Sequence, residues 1–393
     1  VTATAEPLVD AADILARAQA MAATGDPKPE HFRDNLDVLV QSMNEQAGLN
    51  ERGSKTALGM LTVAARNRIE VDAYAAAHPD IDAAPLDAPI FLSGLPRSGT
   101  TYFQYLFDQD ERLRMLRTWE GERPSPPPAL YPDSARQRLQ ESREAQARLR
   151  ALTGNRIDAM HLTDVEGPQE CLAILDQTFV NPGLLWTMAV PGYFDHLLHR
   201  ADLVAAYQHH ARVLRLLQAG TQARRWALKW PCHLLALDAI LEVHPSAKVV
   251  MTHRDPVQAL ASNCSLTKML RAGTSTHAAP DEIGRDMLAL IGEHVNRLVE
   301  FDRRHSDVTV HVDYYRLVDA PEQVMPDVFA ALDLEWTSSL DAAIRRWREE
   351  NPKGKRGAHE YSLEEYGLSR GEIAEVFAEY IQRFDIPSEE ARS

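Results

Sequence analysis

The chain is 393 residues long, 45% hydrophobic and 25% charged, the balance of an ordinary globular protein with one large domain or two modest ones. Its formal net charge of −15 speaks against a dedicated nucleic-acid binder, which would carry a basic face, and against a polyanionic acceptor, although a local basic pocket can exist within an acidic protein. Three cysteines without metal-ligand spacing (Cys171, Cys232, Cys264), no signal-peptide pattern in Val1 to Pro27, and no apolar run near the roughly 18 residues of a membrane span together predict a cytoplasmic protein without disulfides or zinc.

In chain order, residues 8–24 and 35–77 have apolar side chains at helical spacing, with Asp10 and Asn35 as candidate starts. Residues 1–85 read as an N-terminal helical lead-in, and 86–393 as the functional domain. Ile90-Phe91-Leu92, between Pro89 and Gly94, predicts a buried strand, and Tyr102 to Phe107 predicts the helix after it. Pro124 to Pro128 must be irregular, because a proline run has no donors for regular structure. Residues 133–150 predict an exposed helix. Further strands are expected at 225–229, 247–252 and 308–312, with a helix over His233 to Val243. Strands alternating with helices define an α/β class: a three-layer fold of the P-loop type with a central parallel sheet.

Between the first strand and its helix the sequence reads Gly94-Leu95-Pro96-Arg97-Ser98-Gly99-Thr100-Thr101. Two glycines allow a tight turn that presents backbone N–H groups, and the helix N-terminus adds a positive dipole end, so the loop suits a phosphate. A nucleoside-triphosphate loop places Lys before its Ser/Thr. Here that position is Thr100, and the cation is Arg97, inside the loop. The strand at 247–252 leads to His253-Arg254-Asp255 rather than to a magnesium carboxylate, and Asp255 before Pro256 suits a helix N-cap. The donor is therefore expected to bind without metal.

These residues resemble the 5′-phosphosulfate loop of sulfotransferases that use PAPS (3′-phosphoadenosine 5′-phosphosulfate), closest to the bacterial branch that is similar to protein-tyrosine sulfotransferases. The resemblance covers about residues 89 to 370. It implies donor contacts from Arg97, Ser98, Gly99, Thr100 and Thr101. It also implies a 3′-phosphate site from Arg254 and Ser262, an Arg after a strand and a Ser eight residues on. The Arg offers a planar fork of donors, and the Ser a neutral hydrogen bond. Lys353, Gly354 and Lys355 resemble a late glycine loop that touches the same phosphate.

The resemblance places a catalytic lysine at Lys229, where it would neutralise the bridging oxygen, and Arg97 is the candidate for charge stabilisation at the transferred group. For the base, Glu120 comes first, with Glu122 adjacent, then His233, then His161 or Glu170. The implied reaction is in-line sulfuryl transfer from PAPS to a hydroxyl of a small molecule, lipid or carbohydrate, with PAP (adenosine 3′,5′-bisphosphate) as product. A P-loop phosphotransferase and a non-catalytic nucleotide-binding protein are the competing readings. Oligomeric state stays open, a homo-oligomer included.

Overall fold

The computed structural model describes residues 9–23, 30–153, 164–222, 224–351 and 363–388. Asp10 caps the helix Ala11–Met21, its carboxylate accepting from the Asp13 N–H at 2.7 Å. The stretch read as one helical block divides into Glu30–Gln46 and Glu51–Ala77, and Asn50 caps the second by accepting from Gly53 N–H. Asn35 starts no helix. It lies inside Glu30–Gln46, buried, because its amide donates to the Thr178 carbonyl at 3.1 Å while its oxygen faces His196 Nε2 at 2.7 Å. A polar residue at helical spacing was there to bridge to the next layer, not to cap.

Five parallel strands form the sheet: β1 (Ile90–Gly94), β2 (Leu113–Arg114), β3 (Arg225–Lys229), β4 (Lys248–His253) and β5 (Thr309–Asp313). Their spatial order is β2-β3-β1-β4-β5. Successive strand residues point to opposite faces. Phe91, Trp226, Leu228, Val249 and Met251 join one core, and Ile90, Leu92, Ala227 and Val250 the other. Both faces are covered, so the central strands read as continuous apolar runs rather than as alternations. β2 has only two residues, too short to carry a period, which is why it is not visible in the sequence.

The first core also takes in Ile14, Leu36 and Leu61 from the N-terminal helices, together with Leu214 and Leu290 from helices Leu203–Gln218 and Pro280–His305. The lead-in thus shares its core with the sheet. The second core is closed by Phe103 and Phe107, by Phe329, and by Ile344. Burying one such aromatic or aliphatic side chain contributes about 1.5–3 kcal/mol.

The first core also holds histidines. His210 and His233 are fully buried, and His244 nearly so, all with ring centroids within 6.1 Å of that of Phe91. Burial pushes His210 down to about 3 and His244 down to about 4, and holds His233 well below the ordinary imidazole range. His294, in the same layer, is pushed down to about 4. Groups depressed in the folded state contribute their full stability above the unfolded value near 6.5. They lose it as pH falls toward the folded value, at about 1.4 kcal/mol per group per pH unit. Asp176, raised by burial to about 6, and Asp108, also raised by burial, work in the opposite sense, but they are fewer than the buried histidines. Thermal unfolding followed between pH 7.5 and 4.5 should therefore show a midpoint that falls steeply below pH 6.5. A flat midpoint over that range would show that these imidazoles do not control acid stability.

Candidate active site

In a parallel sheet, ligands bind beyond the carboxyl ends of the strands. Here β1, β3, β4 and β5 end on the same edge. β1 runs into the loop at 94–99, which feeds the helix Thr100–Phe107. Gly94 has φ +141°, and a Cβ on it would meet Thr252 Oγ1 at 2.2 Å; Gly99 has φ +78°, and its Cβ would meet the Tyr314 ring at 2.7 Å. Both positions therefore demand glycine, for backbone conformation and for close approach. Arg97 also adopts positive φ, at +71°, a backbone state uncommon for a residue with a side chain.

What holds the loop in that state is a set of contacts to the neighbouring strand and helix. Ser98 and Thr252 share a hydroxyl hydrogen bond of 2.7 Å. Asn263 Nδ2 donates to the Pro96 carbonyl at 3.1 Å, and Arg254 Nη1 to the Arg97 carbonyl at 2.8 Å. The Arg97 side chain turns toward the helix Pro256–Arg271, with Nε donating to Ser262 Oγ at 3.1 Å. The structure thus gathers Arg97, Arg254 and Ser262 into one cluster. Arg97 is expected from sequence both to contact the donor and to stabilise charge at the transferred group; its side chain stands beside Ser262, one of the pair expected at the second phosphate. Asp255 caps the same helix by accepting from Val257 N–H at 2.9 Å.

Lys229 ends β3 and is 1% exposed. Its Nζ donates to Thr101 Oγ1 at 2.9 Å and pairs with the Glu170 carboxylate. The segment around Glu170 is stitched in from three sides. Gln169 N–H donates to the Leu116 carbonyl at 2.7 Å, Gln104 Nε2 to the Gln169 carbonyl at 2.9 Å, and Cys171 N–H to the Lys229 carbonyl at 2.9 Å. A lysine from one strand end, a hydroxyl from the phosphate loop and a carboxylate therefore converge.

The other base candidates are placed elsewhere. Both oxygens of Glu120 are engaged, one by Arg114 Nη2 at 3.0 Å and the other by the Arg117 N–H at 3.2 Å. Arg114 lies over the Trp226 ring at 4.5 Å, and Trp226 stands three residues, roughly 10 Å, back along β3 from Lys229. Glu122 is exposed. His233 sits in the hydrophobic core with Nδ1 2.6 Å from the Tyr207 hydroxyl; its sequence position after Lys229 enters a 3-10 turn, Pro231–Ala236, that folds inward. His161, Lys353, Gly354 and Lys355 lie outside the described residues.

Beside the phosphate loop a cavity of about 560 Å³ is lined by Gly99, Tyr102, Tyr314, Arg345, Arg348 and Asn351, among others, a volume in the range of small-ligand sites. Trp347 stacks on Tyr105 at 5.5 Å, and the Arg254 guanidinium lies over Tyr314 at 4.7 Å. Tyr314 takes no functional assignment from the sequence. Its signal was its position directly after β5, at the edge where ligands gather in parallel sheets. Thr252 and Asn263 carried no sequence signal, because their role is to hold the loop from other elements.

This fold and this loop define a sulfotransferase-type enzyme core. The family model described as Sulfotransferase family matches residues 89–338, and the chain belongs to that family. It is similar along nearly its whole length to sulfotransferase STF9 from Mycobacterium avium, with 28% identity, a TM-score of 0.88, and coverage of 98% of this chain and 100% of that one. It is similar to sulfotransferase STF1 from Mycobacterium tuberculosis H37Rv at 27% identity and a TM-score of 0.84, covering 95% of this chain and 100% of that one. A comparison with curated proteins gave no match. Among the described residues, no group of three His, Cys, Asp or Glu side chains is arranged to hold a metal ion, and no helix is long and apolar enough to cross a membrane.

Proposed function

We propose that this chain transfers a sulfuryl group from PAPS to a hydroxyl of a small-molecule, lipid or carbohydrate acceptor, releasing PAP. The observation that carries this reading is the buried Lys229 bridging Thr101 of the phosphate loop and the Glu170 carboxylate. The loop, Gly94 to Thr101, would hold the 5′-phosphosulfate. Arg254 and Ser262, joined by Arg97, would hold the 3′-phosphate. The cavity walled by Tyr102 and Tyr314 has the size and the aromatic faces for a purine.

In the transfer, the sulfur–oxygen bond to the 5′-phosphate breaks, a new one forms to the acceptor oxygen, and the acceptor proton must go to a base. Lys229 stabilises the charge that gathers on the leaving oxygen. Glu170 is assigned as the base in place of Glu120, whose two oxygens are already occupied. A donor's negative charge competes with Glu170 for the ammonium, and weakening that pair raises the basicity of the carboxylate. With three buried, unpaired cysteines, the reading places the reaction in a reducing cytoplasm.

Purified protein incubated with sulfur-labelled PAPS and fractionated metabolites should yield a labelled product. Magnesium-dependent ATP binding without any labelled product would favour the phosphotransferase reading instead. Arg254→Ala should raise the Kd for PAP on the order of tenfold or more, as expected for loss of a charge-assisted phosphate contact; an unchanged Kd in calorimetry removes Arg254 from the donor site.

A further inference from the structure

β4 ends in His253, and the residue after it is Arg254. His253 is 5% exposed and lies in an unbroken chain of hydrogen-bonding groups. Its Nδ1 is 3.2 Å from the Tyr380 hydroxyl, and its Nε2 is 2.9 Å from His311 Nδ1. His311 Nε2 is 2.9 Å from Asp302 Oδ1. The Tyr380 hydroxyl also stands 3.5 Å from the Arg254 carbonyl. Phe384 stacks on His253 at 4.4 Å and packs against His311. The far end meets water, since the His311 side chain is 35% exposed.

The direction of every hydrogen bond in this chain follows from its anchor. Burial works against a charge on Asp302, but Arg383, His311 and Thr309 outweigh it and hold the carboxyl below its ordinary range. An ionised carboxylate only accepts, so His311 Nε2 carries a proton. A neutral His311 then accepts at Nδ1, His253 donates from Nε2 and accepts at Nδ1, and the Tyr380 hydroxyl donates to His253. Adding one proton to His311 makes both its nitrogens donors. His253 must then accept at Nε2 and carry its own proton on Nδ1, facing the Tyr380 oxygen. The Tyr380 hydroxyl proton is left to point at the Arg254 carbonyl. The two states differ by one proton taken from solvent, one tautomer of His253 and the direction of one hydroxyl.

We propose that His253 and Tyr380 are positioning residues of the anion site, and that protonation of His311 at the surface is relayed through them to the backbone of Arg254. The part that concerns donor binding rests on the functional reading above; the relay itself does not. The charged and titratable groups facing the relay come from every packed element: Asp302 and Arg383 beside His311, and Asp255, Asp313 and Tyr315 around Tyr380. Burial and the neighbouring His311 hold His253 itself neutral, down to about 3, whereas the His311 side chain is the member of the pair that reaches water. Histidine is suited to this because its charge can change near physiological pH.

The test uses the full chain labelled with 15N-histidine, its His253 and His311 signals identified with His253→Gln and His311→Gln. Between pH 8 and 6, His253 should pass from the Nε2–H to the Nδ1–H tautomer in step with protonation of His311. An Nε2–H tautomer that persists while His311 protonates overturns the relay. Calorimetry with PAP gives the second readout. The affinity of the wild type for PAP relative to that of Tyr380→Phe should rise on the order of two- to tenfold from pH 8, where the hydroxyl faces His253, to pH 6, where it faces the Arg254 carbonyl, the worth of one hydrogen bond. Parallel pH curves for the two proteins overturn the positioning role; since protonation of the nucleotide is common to both, it cancels. If neither protein binds PAP, the donor assignment fails, while the tautomer measurement still decides the relay.

Discussion

Lys229→Ala should lower turnover by about a thousandfold while leaving PAP affinity nearly unchanged, because a contact that strengthens only as charge develops is lost from kcat rather than from binding. The geometry makes the expectation specific. Lys229 is 1% exposed, and its hydrogen bond and its ion pair both go to groups of the site, Thr101 and Glu170. Removing one member of a buried pair also leaves the other charge uncompensated, which destabilises by several kcal/mol in typical cases. Lys229→Met keeps the volume and separates the two effects: its turnover should fall as far as that of the alanine variant, with a smaller loss of thermal stability. Wild-type-like turnover in either variant would take Lys229 out of the mechanism.

Glu170→Gln is expected to lower turnover by about two to four orders of magnitude, the range for removing a positioned general base. The acidic limb of the kcat/KM profile, where the base becomes protonated, should disappear in the same variant. A carboxylate that only holds Lys229 would behave differently: the limb would persist, and the double variant with Lys229→Ala would lose no more than Lys229→Ala alone. A Glu170→Gln enzyme with ordinary turnover returns the role to Glu120 or to His161. Glu120→Gln, by contrast, should mainly cost stability, since its carboxylate ties Arg114 to the N-terminus of the helix Thr118–Glu122.

Much of the architecture was legible in the linear pattern, because it is local. Arg225–Lys229 is the strand that its apolar run predicts, and three other strands fall within one or two residues of expectation. A strand buried on both faces leaves a continuous apolar signature bounded by Gly or Pro. The loop from Gly94 to Thr101 was equally plain, since positive φ and close backbone approach restrict positions 94 and 99 to glycine. The same loop, with Arg97 inside it and Thr100 where a triphosphate loop has Lys, sufficed to suggest the family to which the chain belongs.

The division of labour within the site depends on contacts between residues far apart in the chain. Glu170 and Lys229 are separated by 59 positions, and Arg97 and Ser262 by 165; no periodicity or motif spacing reports such distances. Glu120 and Glu170 are equivalent as residue types. Only packing shows that the first is consumed by Arg114 and a helix terminus and that the second meets the lysine. His233 looked available four residues after Lys229, yet the turn between them carries it into the core, where an unprotonated imidazole packs against Phe91 and Tyr207. The sequence by itself determined most of the sheet, the glycine loop at 94–99 and the family, because each is written in short-range sterics and periodicity. The tertiary structure alone decided which carboxylate faces the lysine and that Arg97, Arg254 and Ser262 stand together, because those choices depend on three-dimensional proximity and desolvation.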